Sequence, residues 1–89
     1  MQKLELRLAE AVRKSLNLPS LKVNVRKMPR RWLFQLQEGR AASEWLQLSA
    51  DDIRVMKQLG LLPALHLGMF RVAYAGLRAK APLPNSPVR

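Results

Sequence analysis

The chain changes its hydrophobic period several times, and each change marks an element. From Leu4 to Leu16, apolar side chains at Leu4, Leu8, Val12 and Leu16 recur every fourth residue, with Ala11 and Ser15 beside them. That spacing lays one stripe along a helix and predicts an amphipathic α-helix. Its other face carries Lys3, Arg7, Arg13 and Lys14 with Glu5 and Glu10, and Leu6 falls off the stripe. Asn17-Leu18-Pro19-Ser20 ends the helix, because a residue before proline avoids helical geometry.

From Leu21 to Arg26 the period drops to two. Leu21, Val23 and Val25 point one way and Lys22, Asn24 and Arg26 the other, as a half-buried strand requires. Met28-Pro29-Arg30 reads as a turn, since proline cannot donate to a sheet ladder. A second strand from Trp32 to Gln37 sets Trp32, Phe34 and Leu36 against Leu33, Gln35 and Gln37. Gly39 permits a tight turn, and although Ala41 to Leu46 could open a short helix, the alternation of Trp45-Leu46-Gln47-Leu48 predicts a third strand across Glu44 to Leu48.

Ser49 precedes Asp51 and Asp52 as an N-cap precedes an acidic first turn, so a second helix begins there and stops at Gly60. Ile53, Met56 and Leu59, with Val55 alongside, are its expected buried stripe. Pro63 suits the first turn of a third helix running to about Lys80, apolar around most of its circumference. Ala81 to Arg89 holds three prolines in nine positions and predicts a disordered tail. The expected class is therefore α+β: an N-terminal helix, a small antiparallel sheet of two or three strands, two C-terminal helices and the tail. One compact basic domain is expected over 1–80, with the tail over 81–89.

Composition sharpens this picture. Eighty-nine residues exclude a two-domain enzyme, and a 48% hydrophobic fraction argues for a packed core. With no cysteine, neither disulfides nor thiolate metal sites are available, and a reducing, cytoplasmic location is expected. The first seven residues interleave charges with leucines and lack the apolar run of a signal peptide. The apolar stretch from Leu59 to Phe70 is too short to span a bilayer.

Charge changes the picture most. Sixteen Lys and Arg against six Asp and Glu leave a net charge of +10, which points to a polyanionic partner. Lys22, Arg26, Lys27, Arg30, Arg31 and Arg40 face only Glu38 within the segment 22–40, and the hairpin is expected to present them to a phosphate backbone. Arg7, Arg13 and Lys14 extend that footprint if the first helix lies beside the hairpin. Trp32, Phe34 and Trp45 are expected in the core of so small a protein, which favours duplex binding through shape and phosphates over base stacking.

On the last helix, Ala64, Gly68, Phe70, Val72 and Ala75 are the expected contact surface for a second copy of the chain, with Leu65, Leu67, Met69 and Leu77 in apolar surplus. Asp51-Asp52 reads as helix capping and His66 as a helix-surface or interface residue. No phosphate-binding loop, dinucleotide fingerprint, zinc pattern or nucleophile elbow is present, so neither cofactor nor catalysis is expected. The order helix, three strands, helix is similar to that of double-stranded-RNA-binding domains in element order alone, for Asp51-Asp52 stands where those domains carry paired lysines. The expected function is phosphate-backbone binding to DNA or structured RNA by a regulatory or accessory protein. The rival expectation is a protein-binding adaptor, inhibitor or accessory subunit of a larger protein or ribonucleoprotein assembly.

Overall fold

The computed structural model describes residues 3–80, so the expectation for the proline-rich tail lies outside the described residues. The elements in chain order are α1 (Leu4–Leu16), β1 (Lys22–Lys27), β2 (Arg31–Glu38), β3 (Ala41–Ala42), β4 (Leu46–Ser49), α2 (Ala50–Leu59) and α3 (Ala64–Lys80). The class is α+β, with helices packed on a small antiparallel sheet whose central strand is β2.

The β1–β2 hairpin closes where the Met28 amide donates to the Arg31 carbonyl at 2.8 Å, leaving Pro29 and Arg30 at the tip. Its register sets Val23 across Leu36, Val25 across Phe34 and Lys27 across Trp32. Gly39 and Arg40 make the next turn, with Gly39 at φ 60°, a positive value that glycine adopts without a side-chain clash.

The third strand expected over Glu44 to Leu48 is found only as β4 over Leu46–Ser49, and an unexpected short strand, β3, precedes it over Ala41–Ala42, so the sheet has four strands with one extra residue between the last two. β3 pairs Ala42 with Gln37, whereas β4 pairs Leu46 with Phe34, so three residues, 43–45, lie opposite only Gln35 and Leu36. This is a β-bulge. Ser43 holds it: its amide donates to the Leu36 carbonyl at 2.8 Å, and its Oγ accepts from the Leu36 amide at 3.0 Å. A side chain thereby completes the ladder that the extra residue interrupts.

The bulge also explains why Trp45 is absent from the core. Continued in the register of β3, Trp45 would stand across Phe34 and face the helices. The extra residue gives that place to Leu46 and turns Trp45 outward, where it is 39% exposed. Trp32 and Phe34 are buried as expected.

All three helices contribute to one apolar cluster on one side of the sheet. Leu8, Ala11 and Val12 of α1, Ile53 and Met56 of α2, and Phe70 and Leu77 of α3 join Trp32, Phe34, Leu36 and Leu48 there. Phe34 and Phe70 meet edge to face with ring centroids 5.9 Å apart. Phe70 is thus a core residue and not part of an outer contact surface, because it lies on the same helical stripe as Tyr74 and Leu77. Val55 and Leu59 also depart from expectation and are exposed. α2 ends after ten residues at Gly60, whose left-handed conformation (φ 69°) redirects the chain so that Leu62 becomes buried instead.

The caps follow the sequence closely. Ser49 Oγ accepts from the Asp52 amide at 3.2 Å while the Asp52 carboxylate accepts from the Ser49 amide at 3.2 Å, a reciprocal capping box. α1 ends on Asn17 in the left-handed region. Pro63 directly precedes α3 and accepts from the His66 and Leu67 amides through its carbonyl. Ser15 Oγ donates to the Ala11 carbonyl and accepts from the Leu62 amide at 2.8 Å, tying α1 to the α2–α3 connection.

Candidate nucleic-acid interface

Alternation divides the sheet into two faces, one under the helices and one left uncovered. On β1 the residues turned away from the core are Lys22, Asn24 and Arg26, and their partners on β2 are Gln37, Gln35 and Leu33. Arg31 continues that face at the start of β2, opposite Ser49, and Gln47 lies across Leu33. None of these residues is buried. Among the described residues, no strand position of this face holds a carboxylate.

Side chains on this face are bound to one another. Asn24 Nδ2 donates to Gln35 Oε1 at 3.1 Å and to Gln37 Oε1 at 3.0 Å, and Gln35 Nε2 donates to the Ser43 carbonyl at 3.2 Å. The amide row is thus anchored to the bulge. Arg26 reaches across β2 to the Trp45 ring, its guanidinium carbon 5.1 Å from the centroid. At that distance the cation is attracted to the ring's negative face.

The six cations of segment 22–40 do not form one cluster. Lys22, Arg26 and Arg31 share the outward face, and Arg30 stands beside them at the hairpin tip. Lys27 has the opposite parity and lies on the helix side, with Nζ 5.8 Å from the centroid of the Trp32 ring. Arg40 sits in the turn at the far end of β2, roughly 25 Å from Arg31 by strand rise. Strand alternation and the length of β2 account for the positions of Lys27 and Arg40.

The cations of α1 do not extend this footprint either. α1 packs on the covered side of the sheet, and Arg13 Nη1 donates to the Leu21 carbonyl at 3.3 Å, joining the helix end to β1. Arg7 and Lys14 are exposed on that side.

Of the carboxylates near the sheet, Glu44 is exposed in the bulge itself, while Glu38 and Asp52 are engaged by other side chains. Glu38, at the end of β2, accepts from Arg78 Nη1 at 2.8 Å and from the Tyr74 hydroxyl at 3.0 Å. These two hydrogen bonds hold its carboxyl below the usual carboxylate range. Burial and the Glu38 contact push the Tyr74 phenol up. Burial pushes the Asp52 carboxyl upward, but His66 and Ser49 outweigh it and hold Asp52 below its ordinary value. His66 is half-buried, its Nε2 3.0 Å from Asp52 Oδ2, so it joins two helix starts and is not a free surface residue.

On α3, Ala64, Gly68, Val72 and Ala75 are exposed, unlike Phe70. Leu65 is 88% and Val72 73% exposed. Between this helix and the bulge runs an apolar groove of about 500 Å³, lined by Ser43, Leu46, Met69, Val72, Ala73 and Gly76.

Sequence reasoning did not bring Trp45, Asn24, Gln35 and Gln37 to the uncovered face beside Arg26, where the structure places them. The last three carried a usable signal, since they share the parity of Lys22 and Arg26 once the hairpin register is drawn. Among the described residues, no group of three or more His, Cys, Asp or Glu is placed to hold a metal ion, and no helix is long and apolar enough to cross a membrane. No protein-family model, curated protein or solved structure matches the chain.

Proposed function

We propose that the protein binds nucleic acid through backbone phosphates laid along the uncovered sheet face and the hairpin tip. The observation that carries this reading is the grouping of Lys22, Arg26 and Arg31 on a face with no strand carboxylate, beside Arg30, in a chain of net charge +10. Cations on a rigid sheet meet phosphates with little ordering cost, and binding of this kind is driven by counterion release. Contacts of this type position a nucleic acid more than they read its sequence, which suits a regulatory or accessory protein.

The test is a fluorescence-anisotropy titration at two salt concentrations, with heparin as the polyanion control. Affinity for nucleic acid should exceed that for heparin and fall steeply with salt. Arg30→Glu with Arg31→Glu should abolish binding while leaving the thermal unfolding midpoint nearly unchanged, since both residues are exposed. Binding that survives this double reversal would place the site elsewhere.

The exposed apolar face of α3 favours a second reading, in which the protein is a subunit held in an assembly through Leu65 and Val72. The occupant we assign to that face is a second copy of the chain. The two readings are compatible because α3 lies on the covered side of the sheet and leaves the basic face open.

A further inference from the structure

We infer that the uncovered sheet face takes an unpaired strand, with one base stacked on Trp45 and its neighbour against the amide row of Asn24, Gln35 and Gln37; this inference rests on the nucleic-acid reading above. Three observations converge on it. The first is that a tryptophan stands on the face that lacks a helix cover. A large ring left 39% exposed is a lost opportunity for burial in a chain whose aromatic content is only 6%, and the bulge that turns it outward is fixed by hydrogen bonds from Ser43. An exposed indole offers a π-face on which any base can stack.

The second observation is the Arg26 guanidinium over that ring. Guanidinium planes and aromatic rings both stack bases, so the pair presents two such surfaces together, with the positive charge close to where the strand's phosphate would pass. Lys22 lies four residues along β1, roughly 13 Å away by strand rise, and Arg31 lies diagonally across from Arg26. The cations thus flank the ring on both sides along the strand direction, which is the charge pattern that a polyanion crossing the sheet requires.

The third is the state of the amides. Gln35 is committed, donating to the bulge and accepting from Asn24. Gln37 accepts from Asn24, but among the described residues its own Nε2 has no hydrogen-bond partner, and the Gln47 amide likewise has none. Donors and acceptors held in line on a strand can meet the Watson–Crick edge of a splayed base. In a duplex those edges are already paired and the base faces are closed by stacking. A face built from a ring and amides therefore adds affinity only for unpaired nucleotides.

The experiment uses the full chain and four labelled probes of one sequence: single-stranded DNA, single-stranded RNA, and the two corresponding duplexes. Three proteins are compared, namely wild type, Trp45→Ala and Trp45→Phe. Wild type should bind a single strand more tightly than the matching duplex, and the DNA and RNA arms show whether a 2′-hydroxyl contributes. Trp45→Ala should weaken single-strand binding about tenfold or more, leave the slope of affinity against salt unchanged, and barely affect duplex binding. Trp45→Phe should recover most of the loss, which a merely structural role at an exposed position would not produce. Quenching of intrinsic tryptophan fluorescence by unlabelled strand should disappear in both variants, leaving the signal of buried Trp32 alone.

Single-strand affinity that is unchanged in Trp45→Ala, with binding still abolished by the Arg30 and Arg31 reversals, would overturn the stacking inference and leave the phosphate reading standing. Preference of wild type for duplex would also overturn it. Wild-type binding no tighter than to heparin on all four probes would overturn both.

Discussion

On β2, Trp32, Phe34 and Leu36 are sealed beneath three helices, whereas Arg31, Leu33, Gln35 and Gln37, interleaved with them along the same strand, stand on the uncovered side. The first set is apolar and closely packed. The second is cationic and amide-rich, with Leu33 as its one aliphatic member. One strand thus carries a packed apolar face and an open cationic face at once, because alternation lets each face be chosen independently of the other. The sharpest way to break this contrast is to truncate one residue from each face. Phe34→Ala should cost about 3–5 kcal/mol, since the ring is fully buried and its edge-to-face partner Phe70 would border the cavity. Leu33→Ala, next along the chain, should cost less than about 1 kcal/mol because no packed element closes over it. Urea unfolding followed by circular dichroism reads both. Equal losses would mean that the outward face is covered by something else.

The next largest effect concerns the bulge that places Trp45. In Ser43→Ala the Leu36 amide loses its acceptor in a buried position, which should cost about 1–3 kcal/mol. Amide hydrogen exchange should then quicken at Leu36 more than at its neighbours on β2. An unchanged unfolding midpoint would show that the Leu36 carbonyl contact from the Ser43 backbone suffices to hold the bulge.

These two sites also show what a sequence discloses and what it hides. The helix over Leu4–Leu16, the hairpin, the Ser49 cap and the Gly60 stop were all readable, because period, turn chemistry and capping are local properties of a few adjacent residues. The bulge was not. Residues 43–45 follow no pattern that distinguishes an extra residue from a regular strand, yet that residue decides whether Trp45 or Leu46 faces the core. Phe70 misled for a related reason: α3 is apolar on most sides, so periodicity alone could not say which side meets the sheet. Of the basic cluster, parity correctly placed Lys22 and Arg26, while Lys27 and Arg40 needed the register and length of the hairpin.

A smaller effect separates the helix starts from the sheet. Asp52 caps α2 and accepts from His66, and its carboxyl is held below the ordinary value, so the folded state releases that proton more readily than the unfolded chain does. Its contribution is fully present above the unfolded carboxylate value of about 4 and is lost as pH falls through the lower, folded value. Glu38 titrates in the same sense. Stability measured by urea titration should therefore decline on acidification below about pH 4. Asp52→Asn should lower stability at neutral pH by about 1 kcal/mol and flatten the acid limb. An acid limb identical to that of wild type would show that Asp52 does not control it.

The smallest effect on stability, and the most informative about assembly, is expected on α3. Leu65→Ser with Val72→Ser alters the side of the helix turned away from Phe70 and Leu77, so the isolated fold should change by no more than about 0.5 kcal/mol. If a second copy covers this face, the two residues lose far more exposed area in the dimer than in the monomer, and the substitution acts almost wholly on association. Sedimentation equilibrium over a concentration series separates these effects: wild type should rise toward twice the chain mass, and the variant should remain at the chain mass throughout. Wild-type unfolding midpoints should also rise with protein concentration, while those of the variant should not, since only the native state of an associating protein is stabilised by mass action. A wild type that stays at the chain mass at every concentration would remove the second copy from this face.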